Sequence, residues 1–294
     1  MSGARPIVLL VALLLGCGPA SPPDSAGGGG EAASSARQRV VSLGGSVTEI
    51  VCALDACDRL VGRDMTSQSP ASVRELPDVG YFRKVGGEGV LALEPDLVLA
   101  SSEAGPPSTL EQLRSAGVEV VVVPDDPGLD VLDMKIAAVA DALDLDGAPL
   151  RARVQQEVDA ARARIPTDAT PPKVLLLYSR GAGAVFTMGA GTTGHAMLEL
   201  AGGANALDLE GSRPVSAEAV IGAAPDVVLL PKGSLEAMGG EEGLFAVPGL
   251  ASTPAGANRR FIAIDDLALL GFGPRTGAAL GEIVEGLHAT PEGT

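Results

Sequence analysis

The chain has 294 residues, of which 46% are hydrophobic and 20% charged, a composition that can bury a core and excludes disorder of the bulk of the chain. Acidic residues outnumber basic ones by 37 to 21, and the formal net charge of −16 argues against a nucleic-acid partner held through phosphate contacts. With only two His and three Cys, a zinc-rich scaffold and a dense disulfide fold are both excluded. The length predicts about two domains.

The first residues predict export. Arg5 precedes the apolar run Ile7–Leu15, which is shorter than the ~20 residues that span a bilayer, so residues 1–16 are predicted to be a signal peptide. The run ends in Leu-Leu-Gly-Cys17, which resembles the lipobox of bacterial lipoproteins and makes Cys17 the expected lipidation site. A secretory signal with an incidental Cys is the alternative. Residues 17–38, rich in Gly, Ser, Pro and Ala, predict a flexible tether. The protein is therefore expected in the periplasm or at the cell surface, lipid-anchored to a bacterial membrane.

Beyond the tether, short apolar runs alternate with stretches of helical spacing. Apolar runs bounded by Pro, Gly and Ser suit strands buried on both faces of a parallel sheet. The alternation predicts an α/β fold with two Rossmann-like lobes, residues 39–146 and 167–290, and one long connecting helix within 147–166. The predicted strands are Val40–Leu43, Leu97–Ala100, Val118–Val123, Val174–Tyr178, Val185–Met188, Val227–Leu230 and Phe261–Ile264.

One motif occurs in both halves. Glu88 begins a Glu-(x)6-Pro-Asp block followed by an apolar run, and Glu218 begins a second block of the same spacing. Each block predicts a short helix that starts at the Glu, a turn at Pro-Asp and a buried strand. A first-turn Glu is favourable beside the helix dipole, which explains either residue alone but not their equivalent placement.

These features resemble the substrate-binding lipoproteins of ABC importers for haem, siderophores and cobalamin, with the class III periplasmic binding protein fold. The stretches most similar to the haem-binding branch are Leu76–Arg83, Glu103–Pro107, Ala201–Asn205 and Gly271–Thr276. The resemblance implies a monomeric, non-enzymatic protein that captures haem as a transported ligand, needs no catalytic cofactor and delivers haem to a permease. A siderophore or cobalamin ligand is the alternative. The family resemblance also implies that Glu88 and Glu218 dock on Arg residues of the permease.

Within this resemblance, Tyr81 is the expected haem-iron ligand. It lies between turn signals, in a predicted loop at a lobe edge. A phenolate oxygen suits hard ferric iron, and Tyr is a known axial ligand class for haem. A free phenol ionises only near pH 10, so the charge of Arg83 is expected to favour the phenolate. Phe82 is expected to lie against a porphyrin face. A loop Tyr packed on the surface is the alternative.

His195 is the second candidate iron ligand. It comes just before a predicted apolar helix, and the helix dipole there favours the neutral imidazole that can ligate iron. His195 departs from the usual pattern of the family, so helix capping is the alternative. The haem pocket is also expected to contain arginines that meet the two propionates: Arg83, Arg180, Arg213 and Arg275. Cys52 and Cys57 are close in sequence, so an oxidising compartment predicts a disulfide, with two free thiols as the alternative.

Overall fold

The computed structural model describes residues 38–168, 170–179, 181 and 184–288. The predicted signal peptide, Cys17 and almost all of the predicted tether therefore lie outside the described residues. The first sheet is parallel, in the order β2-β1-β3-β4, with β1 at Val40–Leu43, β2 at Leu60–Arg63, β3 at Leu97–Ser101 and β4 at Glu119–Val123. The helices that accompany it and follow it are α1 (Gly45–Ala53), α2 (Gly87–Leu91), α3 (Pro107–Ser115), α4 (Leu129–Ala142) and α5 (Ala148–Arg162).

The second sheet lies in the other half of the chain and is mixed. Its order is β10-β9-β5-β6-β8, with β7 also paired to β5; the strands are β5 (Lys173–Ser179), β6 (Val185–Met188), β7 (Ala204–Asn205), β8 (Ser212–Pro214), β9 (Val227–Pro231) and β10 (Phe261–Ile264). Strand β6 runs antiparallel to β5, so the expectation of a parallel strand at Val185–Met188 is wrong. Only five residues separate β5 from β6, too few for the crossover that a parallel pair needs.

The helices of the second half complete a second α/β lobe. They are α6 (Thr193–Leu200), α7 (Ala217–Ala223), α8 (Lys232–Ala237), α9 (Glu241–Phe245), α10 (Pro254–Ala257), α11 (Asp266–Leu270) and α12 (Thr276–His288). The predicted fold class, two α/β lobes with a long helix between them, is confirmed. Across the part of the chain that the structure describes, no helix is both long and apolar enough to cross a membrane.

The repeated Glu-(x)6-Pro-Asp blocks adopt the same backbone path in both halves. The residue before each proline has a left-handed conformation, with φ of 47° at Glu94 and 46° at Ala224. The carboxylate after each proline then accepts a backbone N–H at 2.8 Å, Asp96 from the residue that precedes β1 and Asp226 from the first residue of β5. In each lobe the motif thus ties the start of one strand to the start of its parallel neighbour.

One strand of the first sheet departs from the predicted burial. Strands β1 and β3 are buried on both faces as expected, but β4 is at one edge of the sheet, and Val122 is 45% exposed. The run Val118–Val123, which is interrupted by Glu119, therefore does not mark a fully buried strand, because part of β4 faces solvent.

The largest of the three hydrophobic clusters among the described residues extends through both lobes. It includes Val40 of β1, Val139 of α4, Val158 of α5, Val174 of β5 and Leu280 of α12. Helix α5 packs most extensively on α12. Their backbones approach closely at Gly277, where a Cβ atom would lie 2.4 Å from the Cβ of Glu157. The connecting helix is therefore part of the core and not a free spacer.

Candidate functional site

The candidate site lies at the carboxyl edge of the first sheet, the edge at which its parallel strands end. Ligands of α/β proteins bind at such edges because the loops after the strands converge there. The loop after β2 contains Met65, and the loop after β3 contains Glu103. The segment that carries Tyr81 reaches the same edge, because the backbone N–H of Met65 donates to the carbonyl oxygen of Gly80 at 2.9 Å.

Four residues at this edge form what we call the Tyr81 cluster: Tyr81, Phe82, Arg83 and Glu103. The Tyr81 hydroxyl oxygen accepts a hydrogen bond from Nη1 of Arg83 at 2.9 Å. The Arg83 guanidinium also forms an ion pair with the Glu103 carboxylate. A phenolate oxygen bound to a hard metal ion at this position would therefore have a positively charged donor beside it. Sequence reasoning missed Glu103 as a site residue, although it lies in one of the stretches that carried the family resemblance.

Phe82 has a different position from the one expected. Its side chain is buried at 8% exposure within the core beneath the site, and its ring meets the Tyr81 ring edge-on with 5.1 Å between centroids. The Arg83 guanidinium lies 4.9 Å from the centre of the Phe82 ring. Contact between Phe82 and a ligand face is therefore not supported. Phe82 instead holds Tyr81 and Arg83 in place from the protein side.

His195 lies near the N-terminus of α6, where both of its ring nitrogens have partners. Thr192 caps the helix by accepting the backbone N–H of His195 at 3.3 Å. The Asn205 amide nitrogen donates to the Met188 carbonyl at 2.8 Å and lies 3.1 Å from Nδ1 of His195, which therefore accepts. Nε2 then carries the proton and faces the Glu199 carboxylate at 3.4 Å. Iron ligation by His195 requires one of these contacts to open.

Arg275 takes part in an interface between the two lobes. Its Nε donates to Oε1 of Glu49 in α1 at 2.7 Å, and its Nη2 donates to Oδ1 of Asp265 at 2.8 Å. Burial raises the pKa of Glu49, and the nearby Arg275 only partly offsets this effect. Burial also acts to raise the pKa of Asp265, but backbone N–H groups and Arg275 outweigh it, so that pKa is lowered. The expected pocket residue Arg275 is thus occupied by two carboxylates.

Lys135 makes a second polar link between the lobes. Its side chain is fully buried at 0% exposure. Its Nζ donates to the carbonyl oxygens of Gly271 at 3.0 Å and Phe272 at 3.1 Å and to the Ser46 hydroxyl at 3.2 Å, and it forms an ion pair with Asp125. Because Gly271 and Phe272 belong to the second half of the chain, Lys135 holds α4 and α1 against the segment that leads into α12.

The other predicted site residues are dispersed. Arg213 is exposed on the edge strand β8, and Arg180 lies outside the described residues. Glu88 and Glu218 are exposed in the first turns of α2 and α7. Cys52 and Cys57 form a disulfide with 4.2 Å between their Cα atoms. In the described ranges, no group of three or more His, Cys, Asp and Glu residues is arranged to hold a metal ion.

Solved structures of high similarity share this fold. The periplasmic heme-binding protein RhuT from Roseiflexus sp. RS-1, in apo form, is 43% identical, with a TM-score of 0.81 over 85% of this chain and 99% of that chain. The periplasmic heme-binding protein HutB of Vibrio cholerae is 37% identical, with a TM-score of 0.78 over 86% and 99%. A periplasmic heme-binding protein from Pseudomonas aeruginosa is 34% identical, with a TM-score of 0.79 over 87% and 95%.

Similarity to curated relatives is more local. The vitamin B12-binding protein of Yersinia pestis (strain Pestoides F) is 36% identical over 85 residues, which cover 29% of this chain and 30% of the length of that protein. The match thus spans about a third of the curated relative. The sequence model of the periplasmic binding protein family matches residues 40–268, most of the described chain. This match and the similarity of the solved structures confirm the predicted resemblance: the chain belongs to the periplasmic binding protein family.

Proposed function

We propose that this protein captures haem outside the cytoplasm and delivers it to the permease of an ABC importer, without catalysing a reaction. The observation that carries the proposal is the Tyr81 cluster at the carboxyl edge of the first sheet. Further support comes from solved heme-binding proteins that match most of the chain at up to 43% identity. In this proposal haem is cargo, and no catalytic cofactor is needed.

Tyr81 binds the ferric iron through its phenolate oxygen. Nη1 of Arg83 already lies 2.9 Å from that oxygen, and its positive charge would compensate the negative charge of an iron-bound phenolate. Glu103 and Phe82 limit the freedom of the Arg83 guanidinium, so less conformational entropy is lost when the ligand binds. The phenol therefore has its charge partner before haem arrives.

The propionates and the second axial position involve the other predicted residues. Arg213 is exposed, and Arg180 follows β5, whose carboxyl end belongs to the second lobe; both are proposed to meet propionates. Arg275 contacts a propionate only if its hydrogen bond to Glu49 or to Asp265 breaks. Likewise, His195 serves as a second iron ligand only if a contact of its ring opens. A second ligand from His195 therefore requires rearrangement of α6 contacts.

A haemin titration with matched variants tests the iron site. Tyr81→Phe removes only the phenol oxygen, so we expect much weaker haemin binding and loss of the charge-transfer absorption of a ferric phenolate. Arg83→Ala should weaken binding roughly 10–100-fold, as is usual for partners of a metal ligand, and less than Tyr81→Phe. The control is Tyr178→Phe at the other Tyr of the chain, in β5. Unchanged affinity and spectrum in Tyr81→Phe would refute the proposed site.

Membrane attachment and docking complete the proposal. Residues 1–16 are removed as a signal peptide, Cys17 is lipidated, and residues 17–38 tether a monomeric binding domain with lobes at 39–146 and 167–290. Glu88 and Glu218 dock on basic residues of the permease, one on each lobe. Support for this role is that both are exposed, lie in first turns of short helices and precede the same Pro-Asp turn.

Cobalamin is the second candidate ligand. The observation that favours it is the 85-residue match to vitamin B12-binding proteins at 36% identity. Titration with cyanocobalamin and haemin in parallel separates the two ligands, since each has its own absorption spectrum. Tight binding of cyanocobalamin together with no Soret shift on addition of haemin would replace haem by a corrinoid.

A further inference from the structure

Met65 is an unusually exposed apolar side chain at the carboxyl edge of the first sheet. It is 52% exposed, the highest value among the large hydrophobic residues that are exposed in the described part of the chain. It follows β2 by two residues, and its backbone N–H is bonded to the residue before Tyr81. An exposed apolar side chain beside a ligand site suggests contact with an apolar part of the ligand.

The backbone around Met65 is fixed on both sides. The Met65 carbonyl accepts a hydrogen bond from the Gln68 side chain at 2.7 Å. The preceding residue, Asp64, is fully buried, and its carboxylate accepts from the backbone N–H of Gly44 at 3.0 Å and of Thr66 at 2.9 Å and from the Ser67 hydroxyl at 2.7 Å. Met65 is therefore presented to solvent by an ordered turn and not by a loose loop.

Space is available at the backbone position that pairs with Met65. At Gly80, which pairs with Met65, a Cβ atom would have no neighbour within 4 Å. The polar members of the Tyr81 cluster account for iron and charge, and the buried Phe82 offers little exposed apolar surface beside them. A thioether is polarisable and packs well against aromatic rings.

Building on the proposed function, the geometry points to Met65 as the apolar platform for the porphyrin that Tyr81 holds. Met65 contacts the macrocycle and leaves the iron to Tyr81, because a phenolate suits hard ferric iron better than a soft thioether does. Met65 thus selects for a flat apolar macrocycle over a polar ferric chelate. Burial of the exposed half of the Met65 side chain against the macrocycle should raise the affinity roughly fourfold to tenfold.

The test uses two ligands and three variants. Met65→Ser is compared with wild type in titrations with haemin and with metal-free protoporphyrin IX, and Met134→Ser is the control because Met134 is equally exposed, at 50%, on α4. We expect Met65→Ser to weaken both ligands by roughly fourfold to tenfold without changing the ferric haem spectrum. Tyr81→Phe should weaken haemin far more than protoporphyrin IX. Met134→Ser should match wild type.

The outcomes distinguish failure of the Met65 platform from failure of the proposed haem-binding function. Equal affinities of Met65→Ser and wild type for both ligands would overturn the platform, while the proposed function would stand. A changed ferric spectrum in Met65→Ser would also overturn it, because Met65 would then ligate iron. If wild type binds neither haemin nor protoporphyrin IX, the proposed function itself fails. Thermal unfolding of both Ser variants should equal that of wild type, since each site is exposed.

Discussion

Replacing Lys135 by Met tests whether the buried amine holds the two lobes together. The change keeps the length of the side chain but removes the donor to the Gly271 and Phe272 carbonyls and leaves the Asp125 carboxylate, 16% exposed, without its cation. Removing one partner of a buried ion pair typically destabilises a protein by about 3–5 kcal/mol. For a domain of this size, that corresponds to a melting temperature lower by about 6–20 °C.

Urea unfolding followed by circular dichroism measures the loss in the free energy of unfolding. An unchanged dependence of that free energy on urea concentration would exclude a change in the denatured state. Lys232→Met is the matched control, because Lys232 is exposed and its replacement should change stability by no more than about 0.5 kcal/mol. Adding Asp125→Asn to Lys135→Met should restore part of the stability, since it removes the stranded charge. A loss below about 1 kcal/mol in Lys135→Met, or no recovery in the double variant, would refute this account of the interface.

Three further predictions concern the anchor, docking and pH. Cys17→Ser should release the protein from membranes on fractionation while haemin titration stays normal; lipid found by mass spectrometry on another residue would contradict the anchor. Combined Glu88→Ala and Glu218→Ala should preserve haemin affinity but impair uptake into vesicles with the reconstituted permease, and normal uptake would remove the docking role. Because the pKa of Glu49 is raised in the folded state, Glu49 contributes stability that is lost as pH rises from its unfolded pKa through the raised one. Glu49→Gln should flatten this loss in urea unfolding followed upward from about pH 4, and an unchanged dependence of stability on pH would show that Glu49 is not its source.

The elements that depend on local pattern were predictable from sequence. The bounds predicted for β1, β6 and β10 match the structure, because short runs of β-branched and apolar residues mark strands without knowledge of their partners. The duplicated Pro-Asp blocks predicted the corresponding helices and strands in both lobes for the same reason. Strand direction was less accessible, since the antiparallel pairing of β6 depends on a short connection and not on its composition.

The sequence pattern could not predict the side-chain contacts that join distant parts of the chain near the site. Glu49 and Arg275 are 226 residues apart, and Lys135 bonds a carbonyl 136 residues away. Periodicity shows which face of a helix is buried but not which group lies opposite. A signal did exist for Lys135, because it falls on the apolar stripe that Leu132 and Val139 define in α4, where a lone charge needs a buried partner. Finding that partner required the fold.

The hydrophobic core that extends through both lobes has a consequence for how the protein unfolds. Val158 of α5 and Leu280 of α12 belong to the same continuous cluster as the inner faces of both sheets. Neither lobe can therefore lose its packing without exposing apolar surface of the other, so heat should melt them as one cooperative unit with a single calorimetric peak. Polypeptides cut between α4 and α5 would each retain an uncovered apolar surface and tend to aggregate when expressed alone. The two lobes repeat one architecture, yet the largest hydrophobic cluster is shared between them.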